Sequence, residues 1–425
     1  MRKGGTMAIG RQQLAFIKEL YGTRLRISYH AYVRREPAAL LHLEPGRQDP
    51  YPIYRRIRER GVLAPTPLGN YVTASHAACD EVLRSRSFGV GQDGRDAQLS
   101  LLDLDPPDHT RLRRLVAPDF TSRKIPAFGP RVQAVVDDLI RTVPRDQPFD
   151  LVSSLAAPLP IAVITDLLGI PDANAEEFAM HGTRFGSALG GIQSIAHARE
   201  LAATRARLAE IFTEIFELRR QHPQDDLIGR IVAANENSPE AVRPEEMVPL
   251  CTLLLIAGFE TTVNLIGNTV LALLSHPDQW RLFTEQPELA EQVVEEGLRY
   301  DPPVQRTGRV AMSDTEVLGR PVAKGQFVMT ALGGANRDPA AFDDPDRFDI
   351  NRSNANEHLS FSGGIHYCVG APLARLEAAI ALRAIATEFP DLREAGKRVR
   401  RPGSLIRGIQ EFPVLVPAAR RTTIV

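Results

Sequence analysis

The amino-acid sequence predicts a mainly α-helical fold with small β-sheets, arranged as one large domain. Helical periodicity runs almost without a break from residue 77 to residue 290, interrupted only by short turns rich in Pro, Asp and Gly. β-type patterns are confined to short segments at 62–73, 309–332 and 405–416. The 32 prolines and 31 glycines are scattered and form no flexible linker that would divide the 425-residue chain.

The composition is typical of a water-soluble globular protein. Hydrophobic residues make up 43% of the chain and charged residues 24%, with a formal net charge of −1. This charge balance gives no electrostatic basis for binding nucleic acid. The strongly apolar stretches are shorter than the ~20 residues that span a bilayer, and no signal peptide is visible. We therefore expect a cytoplasmic, monomeric protein without a transmembrane segment.

The N-terminus differs from the rest of the chain in its charge. We expect a basic segment at 1–45, followed by the main domain at 46–425. The first 35 residues contain eight Lys or Arg and one acidic residue, Glu19, interleaved with apolar side chains. This pattern is compatible with a helix on a membrane surface. More often such an end is a solvated tail or a segment that packs on the domain.

Three cysteines are present, and only one has chemically informative neighbours. Cys79 and Cys251 are expected to be small buried hydrophobic residues, since the cysteine spacing suits neither a disulfide framework nor a zinc site. Cys368 ends a glycine-rich loop and precedes a predicted amphipathic helix at 368–389. Glycines let a flat ligand approach the backbone, and a helix N-terminus favours a thiolate. A thiolate that faces a flat ligand bearing carboxylates is the arrangement of haem ligation.

The loop at 361–370 resembles the haem-binding loop of the cytochrome P450 family, whose pattern F-x-x-G-x-H-x-C-x-G it matches at every position. The resemblance extends over the chain from about residue 48 and looks most similar to soluble actinobacterial members. It implies the P450 fold, with haem b as cofactor and Cys368 as the ligand of its iron. It also implies that Phe361, His366 and Gly370 bind the cofactor.

A second motif lies in the middle of a long apolar helix, predicted from about 244 to 275. The segment 257–262 combines a glycine, an acid and two threonines. In a buried helix the glycine costs about 1 kcal/mol and an unpaired acid several. Small residues admit a planar ligand, and a threonine hydroxyl can bond to an earlier carbonyl and open the helix locally. By resemblance to the family pattern A-G-x-E-T-T, Ala257 and Gly258 contact haem, while Glu260 and Thr261 relay protons to dioxygen.

Further charged residues occupy positions that the family uses around its cofactor. By resemblance, Glu296, Arg299 and Arg347 form a buried ion network behind the haem, with a structural role. Four side chains are expected to hold the haem carboxylates, because such charge-assisted bonds need cationic or imidazole donors. These are His109, Arg113, Arg309 and His366.

The resemblance implies a reaction and its partners. One atom of O₂ is inserted into a C–H or C=C bond of an apolar small molecule such as a lipid, steroid, terpenoid or polyketide. Electrons come from NAD(P)H through a ferredoxin reductase and a ferredoxin. Arg111, Arg114 and Arg375 could form a basic patch for an acidic redox partner; a generic solvated surface is the alternative.

The substrate pocket is the least specified part of the site. By family position, its candidates come from the loop at 88–104, the long helix, the stretch after the Glu-x-x-Arg motif and a C-terminal turn. They are mainly apolar, which excludes few substrates. The candidates are Phe88, Leu254, Thr262, Val304, Gln305 and Ile409.

Two other functions remain compatible with the sequence. A haem-thiolate peroxygenase or rearrangement enzyme would keep the cysteine loop but would not need the proton relay of Glu260 and Thr261. A non-enzymatic haem sensor would also keep the loop, although the chain carries no DNA-binding or signalling appendage.

Overall fold

The structure is a computed structural model. The N-terminal residues 1–20, Leu68 at the predicted hairpin turn and residues 92–99 of the predicted pocket loop lie outside its described part. The described residues are 21–67, 69–91, 100–171, 177, 178, 180–182, 184 and 194–417.

The predicted mainly helical fold with small β-sheets is confirmed. The helices of the described ranges are α1 (Pro37–Leu40), α2 (Glu44–Gln48), α3 (Tyr51–Arg58), α4 (His76–Arg84), α5 (Asp108–Val116), α6 (Gly129–Thr142), α7 (Pro158–Leu168), α8 (Ile195–Gln221), α9 (Leu227–Asn237), α10 (Pro244–Ser275), α11 (Pro277–Glu285), α12 (Ala290–Tyr300), α13 (Leu332–Ala335) and α14 (Ala371–Glu388). The strands are β1 (Ala64–Pro65), β2 (Tyr71–Thr73), β3 (Phe88–Gly89), β4 (Phe149–Asp150), β5 (Thr307–Ala311), β6 (Thr315–Val317), β7 (Arg320–Val322), β8 (Phe327–Thr330), β9 (Arg393–Glu394), β10 (Val399–Arg400), β11 (Ile409–Glu411) and β12 (Pro413–Leu415).

Helix α10 is the axis of the core. It begins at Pro244, where the Glu246 carboxylate accepts a hydrogen bond from the Arg243 backbone N–H, and it ends at Ser275. It packs against α7, α12 and α14. Its length and apolar composition would also suit a membrane span, but 83% of its apolar window is buried inside the protein, as in a core helix. The core helix therefore brings its central motif to the middle of the molecule.

The largest sheet flanks this helical core. Its five strands lie in the order β1-β2-β8-β5-β3, with β2 and β8 parallel and the other pairs antiparallel. The β1–β2 pair is the hairpin predicted at 62–73. Strand β5 lies between β8 and β3, and it carries Arg309 near its centre. The sheet therefore presents Arg309 beside the helical core.

The chain on the N-terminal side of residue 46 also packs on the sheet and on α3. Ala38 and Leu41 are buried in one cluster with Ile53 and Ile57 of α3 and with Val72 of β2. Residues 37–41 are thus part of the same packed body as the residues that follow them.

Candidate functional site

The cysteine loop is held in a fixed shape by its backbone. The Cys368 N–H donates to the Phe361 carbonyl at 2.9 Å, and Gly364 has a φ of +63°. A Cβ at Gly364 would lie 2.5 Å from the Leu83 carbonyl oxygen of α4, so only glycine fits there. The loop leads directly into α14, which begins three residues after Cys368.

The Cys368 thiol lies inside the protein but remains accessible. Cys368 is an exposed residue. The surrounding protein atoms nevertheless desolvate its thiol, which raises the pKa of that thiol. The thiol is therefore accessible, while the surrounding protein atoms reduce its hydration. Backbone N–H groups of Gly370 and Ala371 and the charge of Arg113 oppose this rise. Burial outweighs the helix N-terminus, which was predicted to favour the thiolate, so the pKa of the thiol lies above its ordinary value.

The structure brings together the four side chains expected to bind carboxylates. The His109 and His366 rings lie 4.3 Å apart. An Arg113 nitrogen donates to the Tyr367 carbonyl at 2.6 Å, and Arg309 reaches the Ser362 hydroxyl at 3.4 Å. Because all four side chains contact the cysteine loop or each other, they form one cluster on the side of α5 and β5.

This cluster is short of negative charge. Burial, Arg309 and His109 together lower the pKa of His366 to about 4, and burial lowers that of Arg309 to about 10. Among the described residues, Asp105 is the acid that opposes both shifts, and its carboxylate lies 3.7 Å from His366. Two buried ring nitrogens, Nδ1 of His109 and Nε2 of His366, have no hydrogen-bond partner within the described part of the chain. A ligand with two carboxylates would satisfy these donors and neutralise the cluster.

These observations fit a haem with a thiolate ligand. The accessible sulfur, the glycine-bearing loop and the unsatisfied donors match the iron, the flat ring and the two carboxylates of that cofactor. Ala257 of α10 is exposed, although residues 250–256 and 262–273 of the same helix are buried. This open strip at mid-helix suits contact with a planar ligand.

Helix α5 is tied to the start of α10 by a strong ion pair. Arg111 donates to both oxygens of Glu246, at 2.8 and 2.6 Å, and also to Asp108. These bonds fix the helix that carries His109 and Arg113. Arg375 is likewise bound by both oxygens of Glu295.

The predicted basic patch is therefore reduced by these ion pairs. Arg111 and Arg375 are neutralised by carboxylates of the same chain. Of the three arginines in the predicted patch, Arg114 is the one that the described residues leave exposed and without an ion pair.

The acid of the long helix has a partner that sequence reasoning missed. Glu260 is 1% exposed, and its Oε1 lies 2.7 Å from Nη1 of Arg401. None of the described residues forms a hydrogen bond with its Oε2. Burial raises the pKa of Glu260, while Arg401 opposes the rise. The cluster of basic residues at 397–401 was the only available signal, and it does not indicate which arginine points inward.

The two threonines bond back to the helix without interrupting it. The Thr261 hydroxyl donates to the Ala257 carbonyl at 3.1 Å, and that of Thr262 to the Gly258 carbonyl at 3.4 Å. The expected local opening is not observed, since α10 is α-helical from 244 to 275. A Cβ at Gly258 would lie 2.6 Å from the Ile164 side chain, so this glycine allows α7 to pack closely.

Glu296 and Arg299 form a fully buried pair with 0% exposure on both side chains. Arg299 donates from Nε and Nη2 to the two Glu296 oxygens, at 2.7 and 2.8 Å. The expectation that Arg347 completes this network with its guanidinium is wrong. That side chain is 58% exposed, and only its backbone carbonyl accepts a bond from Arg299. The second cation is Arg352, whose Nε lies 3.3 Å from Glu296.

The substrate-pocket candidates are placed mostly in packed surroundings. Phe88 belongs to a core cluster with Ala311 and Val328, so it packs behind the sheet. The Gln305 amide oxygen accepts a hydrogen bond from the Tyr54 hydroxyl, and its NH₂ group donates to the Pro302 carbonyl. Gln305 therefore has a structural role. Val304 is half-buried and forms a β-bridge with Ile406; the remaining candidates, Leu254, Thr262 and Ile409, are buried.

Comparison with known proteins identifies the family. Residues 192–393 match the cytochrome P450 family model. The chain is 37% identical over 387 residues to the cytochrome P450 monooxygenase PikC of Streptomyces venezuelae, covering 86% of this chain and 91% of the relative. It is 39% identical over 315 residues to the vitamin D(3) 25-hydroxylase of Pseudonocardia autotrophica, covering 73% and 76%.

A solved structure agrees with these relatives. The crystal structure of ligand-free CYP164A2 from Mycobacterium smegmatis has a TM-score of 0.83 to this structure at 39% identity, covering 89% of this chain and 99% of that one. The resemblance to bacterial P450 proteins is thereby confirmed. The chain belongs to the cytochrome P450 family, as one of its monooxygenases.

Proposed function

We propose that this protein uses haem b and O₂ to insert one oxygen atom into a C–H or C=C bond of an apolar small molecule. Electrons from NAD(P)H arrive through a ferredoxin reductase and a ferredoxin. The observation that carries the proposal is the accessible Cys368 thiol inside the protein, beside a cluster of donors that is short of negative charge. When bound, a thiolate-ligated haem supplies the chemistry that cleaves dioxygen.

The residues around the cysteine loop bind and orient the cofactor. Cys368 provides the sulfur ligand, and the N–H groups of Gly370 and Ala371 point to it and stabilise its negative charge. Arg113 and Arg309 would supply charged donors to the two haem carboxylates, and the histidines of the cluster would supply neutral N–H groups.

Helix α10 carries the two residues of the proposed proton relay, Glu260 and Thr261. Because burial raises the pKa of Glu260, its unpartnered Oε2 is suited to hold and release a proton. The Thr261 hydroxyl donates to the Ala257 carbonyl, and the lone pairs of its oxygen can accept a hydrogen bond from a proton donor. Arg401 keeps the Glu260 carboxyl in position through Oε1.

An apolar substrate agrees with two features. The pocket candidates on α10 and in the C-terminal turn are mainly apolar, and such walls recognise shape and hydrophobic area. The relative from Pseudonocardia autotrophica is named for hydroxylation of vitamin D(3), an apolar molecule.

The first test is the absorption spectrum of the purified protein, oxidised and then reduced under carbon monoxide. Thiolate ligation predicts a long-wavelength Soret band that is lost in Cys368→Ala and kept in Cys251→Ala, which changes a buried cysteine elsewhere in the core. A Soret position typical of histidine ligation, or its persistence in Cys368→Ala, would contradict the proposal.

A second test addresses the proton relay. Thr261→Ala is expected to release peroxide and to lower the product formed per NAD(P)H, because the hydroxyl no longer takes part in proton transfer. Thr262→Ala removes a hydroxyl with the same type of bond to the helix and serves as the matched control. If both variants keep the wild-type product ratio, Thr261 has no role in the relay.

A further inference from the structure

A cavity whose lining contains no residue of the cysteine loop lies beside the largest sheet. It has a volume of about 520 Å³ and is formed between the N-terminal helical segment, β2, β5 and β8. Its walls are largely apolar, with Ala38, Ala39, Tyr71, Phe327 and Met329 among them. The volume falls in the range of roughly 300–1,000 Å³ that is usual for small-molecule sites. The cavity is therefore large enough for an organic ligand.

One charged side chain lines this cavity without a counter-ion. Arg306 is 4% exposed, and its Nη2 donates to the Ser404 hydroxyl at 2.7 Å. Its Nη1 is buried, and no residue in the described ranges forms a hydrogen bond with it. Among the residues that the structure describes, no carboxylate forms an ion pair with Arg306. Asp301, five residues earlier in the chain, instead accepts a hydrogen bond from Tyr51 and forms an ion pair with Arg407. A buried guanidinium in this state is unfavourable unless an anion pairs with it.

Two histidines add neutral donors to the same wall. His42 keeps a large accessible surface, although burial and the charge of Arg306 lower its pKa to about 3. It therefore remains uncharged at neutral pH. His30 also lines the cavity, and its buried Nδ1 has no hydrogen-bond partner among the residues that the structure describes. The polar residues of the lining thus offer several N–H donors and one fixed positive charge.

We propose that this cavity binds an apolar molecule that carries a single carboxylate, with the carboxylate paired to Arg306 and the apolar part against the opposite wall. A planar guanidinium matches a planar carboxylate, and one cation matches one negative charge. The cavity borders the carboxylate-binding cluster of the haem site. Thr307 and Gly308 line the cavity and accept hydrogen bonds from Nη1 of Arg309, at 3.4 and 2.9 Å, while Nη2 of Arg309 donates to Ser362 of the cysteine loop.

Calorimetric titration of the haem-loaded protein with decanoate, 1-decanol and decyltrimethylammonium tests the proposal. Decanoate is expected to bind about tenfold or more tightly than either of the other two. Arg306→Gln should remove this preference, and Arg306→Lys should restore part of it. Arg123→Gln changes an exposed arginine and should leave the titrations unaltered. An unchanged preference for decanoate in Arg306→Gln would overturn the assignment.

A second variant covers the case in which Arg306→Gln does not fold. Ala39→Phe fills the apolar wall and leaves Arg306 in place, so it should weaken binding of decanoate about tenfold. Unweakened binding in Ala39→Phe would show that decanoate binds elsewhere and would refute the site. The calorimetric readout needs neither reduction nor turnover, so it is independent of whether the proposed reaction takes place.

Discussion

Replacing Arg401 by glutamine removes the partner of the buried acid in α10. In the native protein Glu260 is 1% exposed and one of its oxygens is 2.7 Å from the Arg401 guanidinium. The other oxygen is unpartnered. In Arg401→Gln, the carboxylate loses the charge that opposes the effect of burial on its pKa. The pKa of Glu260 therefore rises further above its usual value.

The expected loss of stability is moderate. A hydrogen bond to a charged group contributes about 1.5–3 kcal/mol, and breaking a fully buried ion pair costs about 3–5 kcal/mol. The Arg401 side chain is 18% exposed, so part of its interaction is screened by solvent. Glu260 can also become protonated, which limits the penalty. We expect the free energy of unfolding of Arg401→Gln to fall by about 2 kcal/mol at neutral pH.

The sign of the pH dependence follows from the raised pKa. Below the usual carboxyl pKa, Glu260 is protonated in both the folded and the unfolded state, so the loss of Arg401 costs least. As the pH rises above that value, the unfolded carboxyl ionises first, and the folded state becomes less favourable. The destabilisation of Arg401→Gln should therefore be larger at pH 8 than at pH 5.

Urea unfolding of a double-mutant cycle measures this coupling. The cycle combines Arg401→Gln with Glu260→Gln, and the double variant should be more stable than the sum of the single effects by about 1 kcal/mol or more. Arg398→Gln breaks an exposed pair with Glu394 and should change the stability by less than about 0.5 kcal/mol. Additive effects within about 0.5 kcal/mol, or a destabilisation that shrinks as the pH rises, would refute the reasoning.

Two further matched pairs test the structure. Arg352→Ala should lower the free energy of unfolding by about 3 kcal/mol, because it removes one of the two guanidinium groups that pair with Glu296. Arg347→Ala should change the free energy of unfolding by less than about 0.5 kcal/mol, since that side chain is largely exposed. Equal effects of the two variants in urea unfolding would restore the side-chain role first predicted for Arg347. Gly364→Ala should lower the free energy of unfolding by more than about 2 kcal/mol, because the positive φ and the close contact at this position exclude a Cβ. The Cβ added by Gly129→Ala meets open space, so this variant should be tolerated. Similar melting temperatures for the two variants would contradict this prediction.

The sequence alone determined the class of fold, the family and the local geometry of its motifs. Periodicity located α10 and the short β segments, because helical and strand patterns repeat within a few residues. The three-residue spacing of Glu296 and Arg299 placed both on one face of α12. The loop before α14 was identified because its glycines, histidine and cysteine lie within one stretch of ten residues.

The tertiary structure decided which distant side chains meet these motifs. Arg401 pairs with Glu260 across 141 positions of sequence, and Arg352, not Arg347, reaches Glu296. Both arginines lie in segments rich in charge, where local pattern does not indicate which guanidinium turns inward. The same limit applies to the Cys368 thiol, whose pKa depends more on burial by the surrounding chain than on its own helix. Burial and ion pairing are properties of the packed chain, because they depend on residues that only folding brings together.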